Sequence, residues 1–207
     1  MITTPDGRQT EPLVEVLPAG TTIYRVHDTK LAATEFNPGY GRSRFAFFGD
    51  PPVPALSAAE TEAAAVAETL LHDIPVSGGE IELRLVQRKV LSPLLVRREL
   101  RLAALLGDGF RRLGVERTEL TVTPAARYGD TVRWAEALHA GGVDGLVWMS
   151  NRHDTSRAYI LFGDRVAGSD LAPREDGKRA FAFPDQLDWL TRRFQALGVN
   201  IVGNPAP

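Results

Sequence analysis

Apolar residues recur at helical spacing in three stretches of the chain. In the first, Ala63, Val66 and Leu70 share one side, and Ser57 followed by Glu60 has the form of a capping box that would start this helix. The second runs from Tyr128 to Ala140, with Asp130 as its expected N-cap, Val132, Ala135, Leu138 and His139 on its inner side, and Gly141-Gly142 as its stop. The third is Asp185–Leu197, closed by Gly198. Between them lie runs of strand type. Thr21–His27 is β-branched and aromatic, Glu80–Val86 alternates polar and apolar, Val90–Val96 is apolar around Pro93, and Leu100–Leu106 fits a strand or a helix, the strand preferred. Arg44–Phe48 reads as an arginine turn entering an aromatic strand. Gly145–Met149 is a short apolar strand that delivers Ser150 at its end, and Tyr159–Phe162 is another. Phe110–Leu113 is a helical turn before Gly114, and Val199–Val202 is an edge strand. Residues 1–20 form an irregular lead-in with one apolar piece at Leu13–Leu17, and 163–179 form a polar connection. Strands and helices mix without regular alternation, which favours an α+β architecture.

Composition narrows the function classes. The chain has 207 residues, 43% of them hydrophobic and 24% charged, so it is globular rather than disordered. A formal net charge of −2 gives no basic excess for a nucleic-acid partner. With no cysteine there is neither a disulfide framework nor a thiolate metal site. The N-terminal MITTPDGRQTEP has no apolar signal core, and no apolar run approaches the ~20 residues that span a bilayer. A cytoplasmic protein is expected.

Familiar catalytic motifs are absent or broken. Gly39-Tyr40-Gly41 begins like a dinucleotide fingerprint, but position 44 is Arg and the turn precedes a strand-like run, so a Rossmann site is excluded. There is no phosphate-binding P-loop. Ser150, His153 and Asp154 are too close in sequence to form a triad by themselves, and no G-x-S-x-G elbow surrounds the serine. His72, His139 and His153 stand alone, with no metal-ligand spacing. What remains is a scattered polar set beside apolar elements: Arg25, Arg44, Glu68 and Ser150. By periodicity alone Glu68 is a solvated helix carboxylate, lying near Ala64, Leu71 and His72 and away from the apolar side.

In order and spacing, several segments resemble the RES-domain family, the toxin half of a bacterial toxin–antitoxin pair. Tyr24-Arg25-Val26-His27 is similar to the family's first strand, Ser43-Arg44-Phe45 to its Gly-Arg-Phe turn, and Ala65-Val66-Ala67-Glu68 to its Ala-x-x-Glu helix. Thr131-Val132-Arg133-Trp134-Ala135 is similar to Thr-x-x-Trp-Ala, and the run Asp144–Arg152 to the strand ending in Ser-x-Arg, with Leu161-Phe162 following. Two positions depart from the pattern. Ser43 replaces a glycine, and Ser57, in Ala55-Leu56-Ser57-Ala58, replaces a tyrosine that in the family lines the cofactor pocket.

The resemblance implies a split, mainly antiparallel sheet with flanking helices, as in ADP-ribosyltransferases, around a NAD cleft. It implies a core domain over 21–163 after the lead-in, with 164–207 a C-terminal extension carrying one helix. It also implies cleavage of the nicotinamide–ribose bond of NAD by phosphorolysis or hydrolysis, with inorganic phosphate as a co-substrate in the first case and no metal. The alternatives are protein ADP-ribosylation, or a catalytically weakened binding protein. On this reading Glu68, Arg25 and Ser150 are catalytic. Arg25, Arg44, Tyr24, Phe45 and Ser57 bind the cofactor, although core packing explains Tyr24 and Phe45 equally well. The expected partner is an antitoxin with a helix-turn-helix domain, in a hetero-oligomer or beside a homo-oligomer, with no direct nucleic-acid or membrane contact.

Overall fold

The computed structural model describes Pro5 and residues 10–204. The rest of the lead-in, including most of MITTPDGRQTEP, and residues 205–207 lie outside the described residues. In chain order the elements are β1 (Val14–Leu17), β2 (Thr22–Asp28), β3 (Ala55–Ala59), α1 (Glu62–Leu70), β4 (Gly79–Glu82), α2 (Leu83–Gln87), β5 (Lys89–Val96), β6 (Leu100–Leu105), α3 (Asp108–Leu113), α4 (Arg117–Leu120), α5 (Tyr128–Ala140), β7 (Gly145–Met149), β8 (Arg157–Phe162), β9 (Leu171–Pro173), β10 (Arg179–Ala180), α6 (Pro184–Gln195) and β11 (Val199–Val202). No helix among them is long and apolar enough to cross a membrane.

The large sheet runs β1-β6-β7-β8-β3-β2-β5-β10, with β9 also on β5. All its pairings are antiparallel except β6 with β7. That parallel pair needs a crossover, and α3, α4 and α5 supply it. β4 and β11 form a separate parallel pair. The result is the mostly antiparallel α+β architecture that the resemblance implies. The sheet is all but divided in its middle. β3 pairs with β8 along its whole length, and β2 with β5 along its whole length, yet β2 and β3 meet only at Tyr24 opposite Ala59.

Side-chain alternation gives each face its own core. On one face Ile23, Leu56, Ala58, Val147, Tyr159 and Leu161 pack together. The other face carries two cores. α5 covers the first through Trp134, Ala135 and Leu138, over Leu146, Trp148, Ile160 and Ala55. α1 and α6 cover the second through Ala64, Val66, Leu70, Leu190 and Phe194, over Val26, Ala59 and Leu91. β3 therefore crosses from one core to the other on this face. Ala55 belongs to the first and Ala59 to the second. Ser57, between them, is the one exposed residue of the strand. Ser57 thus lies exposed between the two cores, beside the seam of the sheet.

Several elements depart from the sequence expectation. Ser57 and Glu60 do not cap a helix. Residues 55–59 pair with 158–162, and the Glu60 carboxylate accepts from the Arg157 backbone N–H at 2.9 Å. The helix starts after Thr61, whose hydroxyl accepts from Ala64 N at 3.2 Å. Strand pairing overrides the helical preference of an alanine-rich run. The aromatic run after Arg44 is not a strand either. Its isolated bridge, Ser43 to Ala46, closes a turn, and Phe45, Ala46 and Phe48 plug the first core. Glu80–Val86 changes from strand to helix at Leu83. Within the lead-in, Val14–Leu17 pairs with β6 as an ordered edge strand. Asp130 is not an N-cap but an ion-pair partner of Arg127, at 2.8 Å.

Candidate active site

β7 delivers Ser150 immediately after its last residue, Met149. Its first residue, Gly145, packs so closely on β8 that a Cβ would lie 2.2 Å from the Ile160 carbonyl oxygen, so only glycine permits this strand spacing. Ser150 then falls on the face of Leu146 and Trp148 and is fully buried. α1 enters from the other core. Its alanines, Ala64, Ala65 and Ala67, are buried and small enough to let the helix lie close on the sheet, with Glu68 beside the end of β7.

Glu68 and Ser150 are in direct contact. The serine hydroxyl donates to Glu68 Oε1 at 2.5 Å, and the Asn151 backbone N–H donates to the same oxygen at 3.1 Å. Hydrogen bonds to an ionised acceptor are shorter than neutral ones and roughly twice as strong. The solvated carboxylate that periodicity suggests is therefore a half-buried, anchored one. Among the described residues Glu68 Oε2 has no hydrogen-bond donor, so the group is pinned through one oxygen and open at the other. Ser150 is committed on every side. Its only proton goes to Glu68, and its oxygen accepts from the backbone N–H groups of Arg152 at 3.2 Å and His153 at 2.9 Å. A hydroxyl so occupied orients a carboxylate and has no role left as a nucleophile. The His153 ring turns to Thr155 instead, at 3.2 Å.

Arg44 comes from the loop on the first-core side. Its Nη1 donates to the carbonyl and hydroxyl oxygens of Thr123, at 2.9 and 2.8 Å. Its own carbonyl accepts from the Thr131 hydroxyl, and its guanidinium lies 5.2 Å from the centre of the Tyr128 ring. Among the described residues Nη2 and Nε have no protein acceptor. Burial lowers the Arg44 pKa. Tyr128 and Glu68 pull it back up and Arg152 pushes it down, so the Glu68 carboxylate and the Arg152 guanidinium both act on this cation. Asn151 ties the two sides together. Its side-chain amide donates to the Thr121 carbonyl, two residues from the Arg44 anchor, and Arg117 donates to its amide oxygen at 3.3 Å.

Glu68, Ser150 and Arg44 are thus brought together, with Ser57 exposed on the neighbouring floor. Tyr24 is half-buried on that same face, diagonal to Ser57 across the seam. Arg25 is not joined to this group. It alternates to the opposite face with Ile23, is buried, and donates through Nη1 to the carbonyls of Ala33 at 2.7 Å and Glu35 at 2.6 Å. Burial lowers its pKa to about 10. Phe45 is fully buried, its ring edge-on to Trp148 at 5.1 Å, so it packs the core and offers no face to a ligand.

Residues that periodicity did not single out complete the arrangement. His72 accompanies Glu68 four residues on, and its Nε2 lies 3.3 Å from the Tyr128 hydroxyl. Arg152 donates to the backbone carbonyls of His72 and Ile74. His72 lies two residues past the end of α1, so helical periodicity does not point to it. Among the described residues no cluster of three His, Cys, Asp or Glu could hold a metal ion.

The family model of the RES domain matches residues 22–184. The chain belongs to the RES-domain family. No curated protein matches it. Among solved structures its fold is similar to a chain of the crystal structure of the M. tuberculosis MbcT–MbcA toxin–antitoxin complex. The TM-score is 0.60 at 14% identity, over 88% of this chain and 91% of that one. At that identity the likeness is one of fold. Past residue 163, β9 and β10 pair with β5 of the large sheet.

Proposed function

We propose that this RES-domain protein cleaves the nicotinamide–ribose bond of NAD and is the toxin of a toxin–antitoxin pair. The observation that carries the reading is the state of Glu68, fixed through Oε1 and open through Oε2, with the free edge of Arg44 nearby. As the bond breaks, its electron pair leaves with the nicotinamide nitrogen and positive charge develops on the ribose, as in glycoside cleavage. A carboxylate already fixed in place stabilises that charge without reorganisation. Glu68 Oε2 takes this role or accepts a ribose hydroxyl, and Ser150 keeps the carboxylate aimed. Arg44 binds the pyrophosphate or an incoming phosphate, because a planar guanidinium matches such oxygens. Tyr24 and Ser57 line the floor. Arg25 has the smaller share. It holds the loop that leads towards Arg44, and its remaining donors take part in anion binding only if the ligand reaches the far side of the seam.

The acceptor that completes the reaction is phosphate, water or a protein side chain. A weakened binding protein is the second reading, favoured by the exposed Ser57, which leaves the floor without the ring that other RES domains carry there. The proposed partner is an antitoxin with a helix-turn-helix domain, in keeping with the toxin–antitoxin complex of similar fold, and the proposed site of action is the cytoplasm. Chromatography of NAD incubated with the pure protein, with and without phosphate, decides between these readings. Released nicotinamide together with a phosphorylated ADP-ribose marks a phosphorylase, and free ADP-ribose a hydrolase. Label retained on protein marks a transferase. NAD left intact, together with normal growth of cells that express the protein without a partner, would sink the toxin reading and leave the binding protein.

A further inference from the structure

We propose that Tyr128 and His72 are positioning residues that hold Arg44 in register with Glu68, a proposal that rests on the NAD-cleaving reading above. The contacts form a closed circuit. Glu68 Oε1 accepts from Asn151 N, the Asn151 side chain reaches the Thr121 carbonyl, and Thr123 accepts from Arg44. The Arg44 guanidinium lies over the Tyr128 ring, the Tyr128 hydroxyl meets His72 Nε2, and His72 lies in the turn two residues past the end of α1, the helix that carries Glu68. Half of this circuit, through Asn151, is built from the loop after β7. In the other half, the Tyr128–His72 contact crosses from α5 to the α1 side.

The pair acts on Arg44 from beneath. Thr123 fixes one guanidinium nitrogen, and a cation held at a single nitrogen can still swing about that anchor. The face of a buried aromatic ring restricts the swing, because the cation–π attraction keeps the planar group over the ring. The ring is itself buried, and its far end is fixed by the hydroxyl. His72 is held for this task. Its carbonyl accepts from Arg152. Neutral His72 with its proton on Nδ1 accepts the phenol proton at Nε2. The charged groups around the pair are Asp73, Arg152, Arg44 behind the ring, and Glu68 on α1.

Steady-state NAD cleavage by Tyr128→Phe, His72→Ala, His72→Gln and the double variant Tyr128→Phe/His72→Ala tests the pair. Tyr128→Phe keeps the ring under Arg44 and removes only the contact with His72. Misplacement of a binding group lowers turnover, so Tyr128→Phe and His72→Ala should each lose about tenfold in kcat with an unchanged thermal midpoint. His72→Gln presents an acceptor at the same place and should recover most of the loss. The double variant should be no worse than the poorer single one, because both remove one contact. Wild-type turnover in both single variants, or losses that multiply in the double, would overturn the proposal. If the wild-type protein leaves NAD intact, the functional reading falls, and nitrogen NMR of the His72 and Arg44 side chains still decides the pair. A fixed Nδ1–H tautomer and slow guanidinium rotation in the wild type, both lost in Tyr128→Phe, would support it. Averaged tautomers and free rotation in both proteins would reject it.

Discussion

On the proposed reading, NAD cleavage rests on how one carboxylate is held. Glu68 is half-buried, yet it receives both of its hydrogen bonds on a single oxygen, from a serine that has no other use for its proton and from a backbone N–H. Glu68→Gln keeps an oxygen able to accept those two bonds and removes the charge. A preorganised group facing a developing charge is typically worth roughly 10²–10³ in rate, so NAD cleavage should fall by that order while the thermal midpoint barely moves. Glu62→Gln is the control. Glu62 lies at the start of the same helix and only faces Arg179, at 3.7 Å. Full activity in Glu68→Gln would return Glu68 to the role that periodicity gives it, an ordinary surface acid. The sequence could nominate Glu68, Arg44 and Ser150 through the family pattern. It could not show that they meet, because the contacts join residues some 80 positions apart. Asn151, Thr123 and Tyr128 were illegible for the same reason, since each earns its place only through a partner far along the chain.

Elements that fold on their own pattern were the legible ones. β2, β5, β7 and α5 lie where alternation, β-branching and glycine stops put them. The misread segments are those whose fate depends on a neighbour. Ala55–Ala59 is alanine-rich and helix-like by composition, but it lies between β8 and β2 and completes the sheet. Arg44–Phe48 has strand residues but no strand beside it, so its rings go into the core. The β2–β5 pair also carries a buried polar site that its apolar pattern concealed. His27 Nδ1 lies 3.0 Å from the Asp28 carbonyl, to which it donates, and Nε2 lies 2.9 Å from Ser92 Oγ. Burial, with smaller pushes from Arg25 and Lys178, lowers its pKa below the ordinary 6.5. A base whose folded pKa is depressed takes up its proton first in the unfolded chain. Stability is therefore present above pH 6.5 and lost as the pH falls below it. Thermal melts from about pH 8 to about pH 5 should show this loss, and it should be smaller in His27→Gln, which keeps a donor and an acceptor but does not titrate. An equal loss in the variant would assign the acid sensitivity to other groups.

At the scale of the whole molecule, the near-break between β2 and β3 and the division of one face into two cores are the same feature. Each half-sheet recruits its own helices, α5 on one side and α1 with α6 on the other, and Ser57 lies exposed between the two cores. A ligand seated there would touch both halves, so its binding would stabilise the fold, increasingly with the logarithm of its concentration over Kd. Position 57 is one of the two where this chain departs from the RES pattern, and the fold makes that departure testable. The Ser57 side chain belongs to neither core, so a ring placed there displaces no packed residue. On an antiparallel pair, Tyr24 is near enough on the diagonal to flank it. Ser57→Tyr should therefore fold with an unchanged or slightly raised thermal midpoint. If this floor receives NAD, the new ring gives the ligand an apolar face, and KM for NAD should fall several-fold, since an aromatic contact adds roughly 0.5–1.5 kcal/mol beyond its buried area. The direction of the change discriminates. A fall in KM with kcat kept places the ligand on this floor. An unchanged KM in a well-folded variant moves the ligand away from β3, and a rise in KM means that the small serine leaves room the ligand itself occupies.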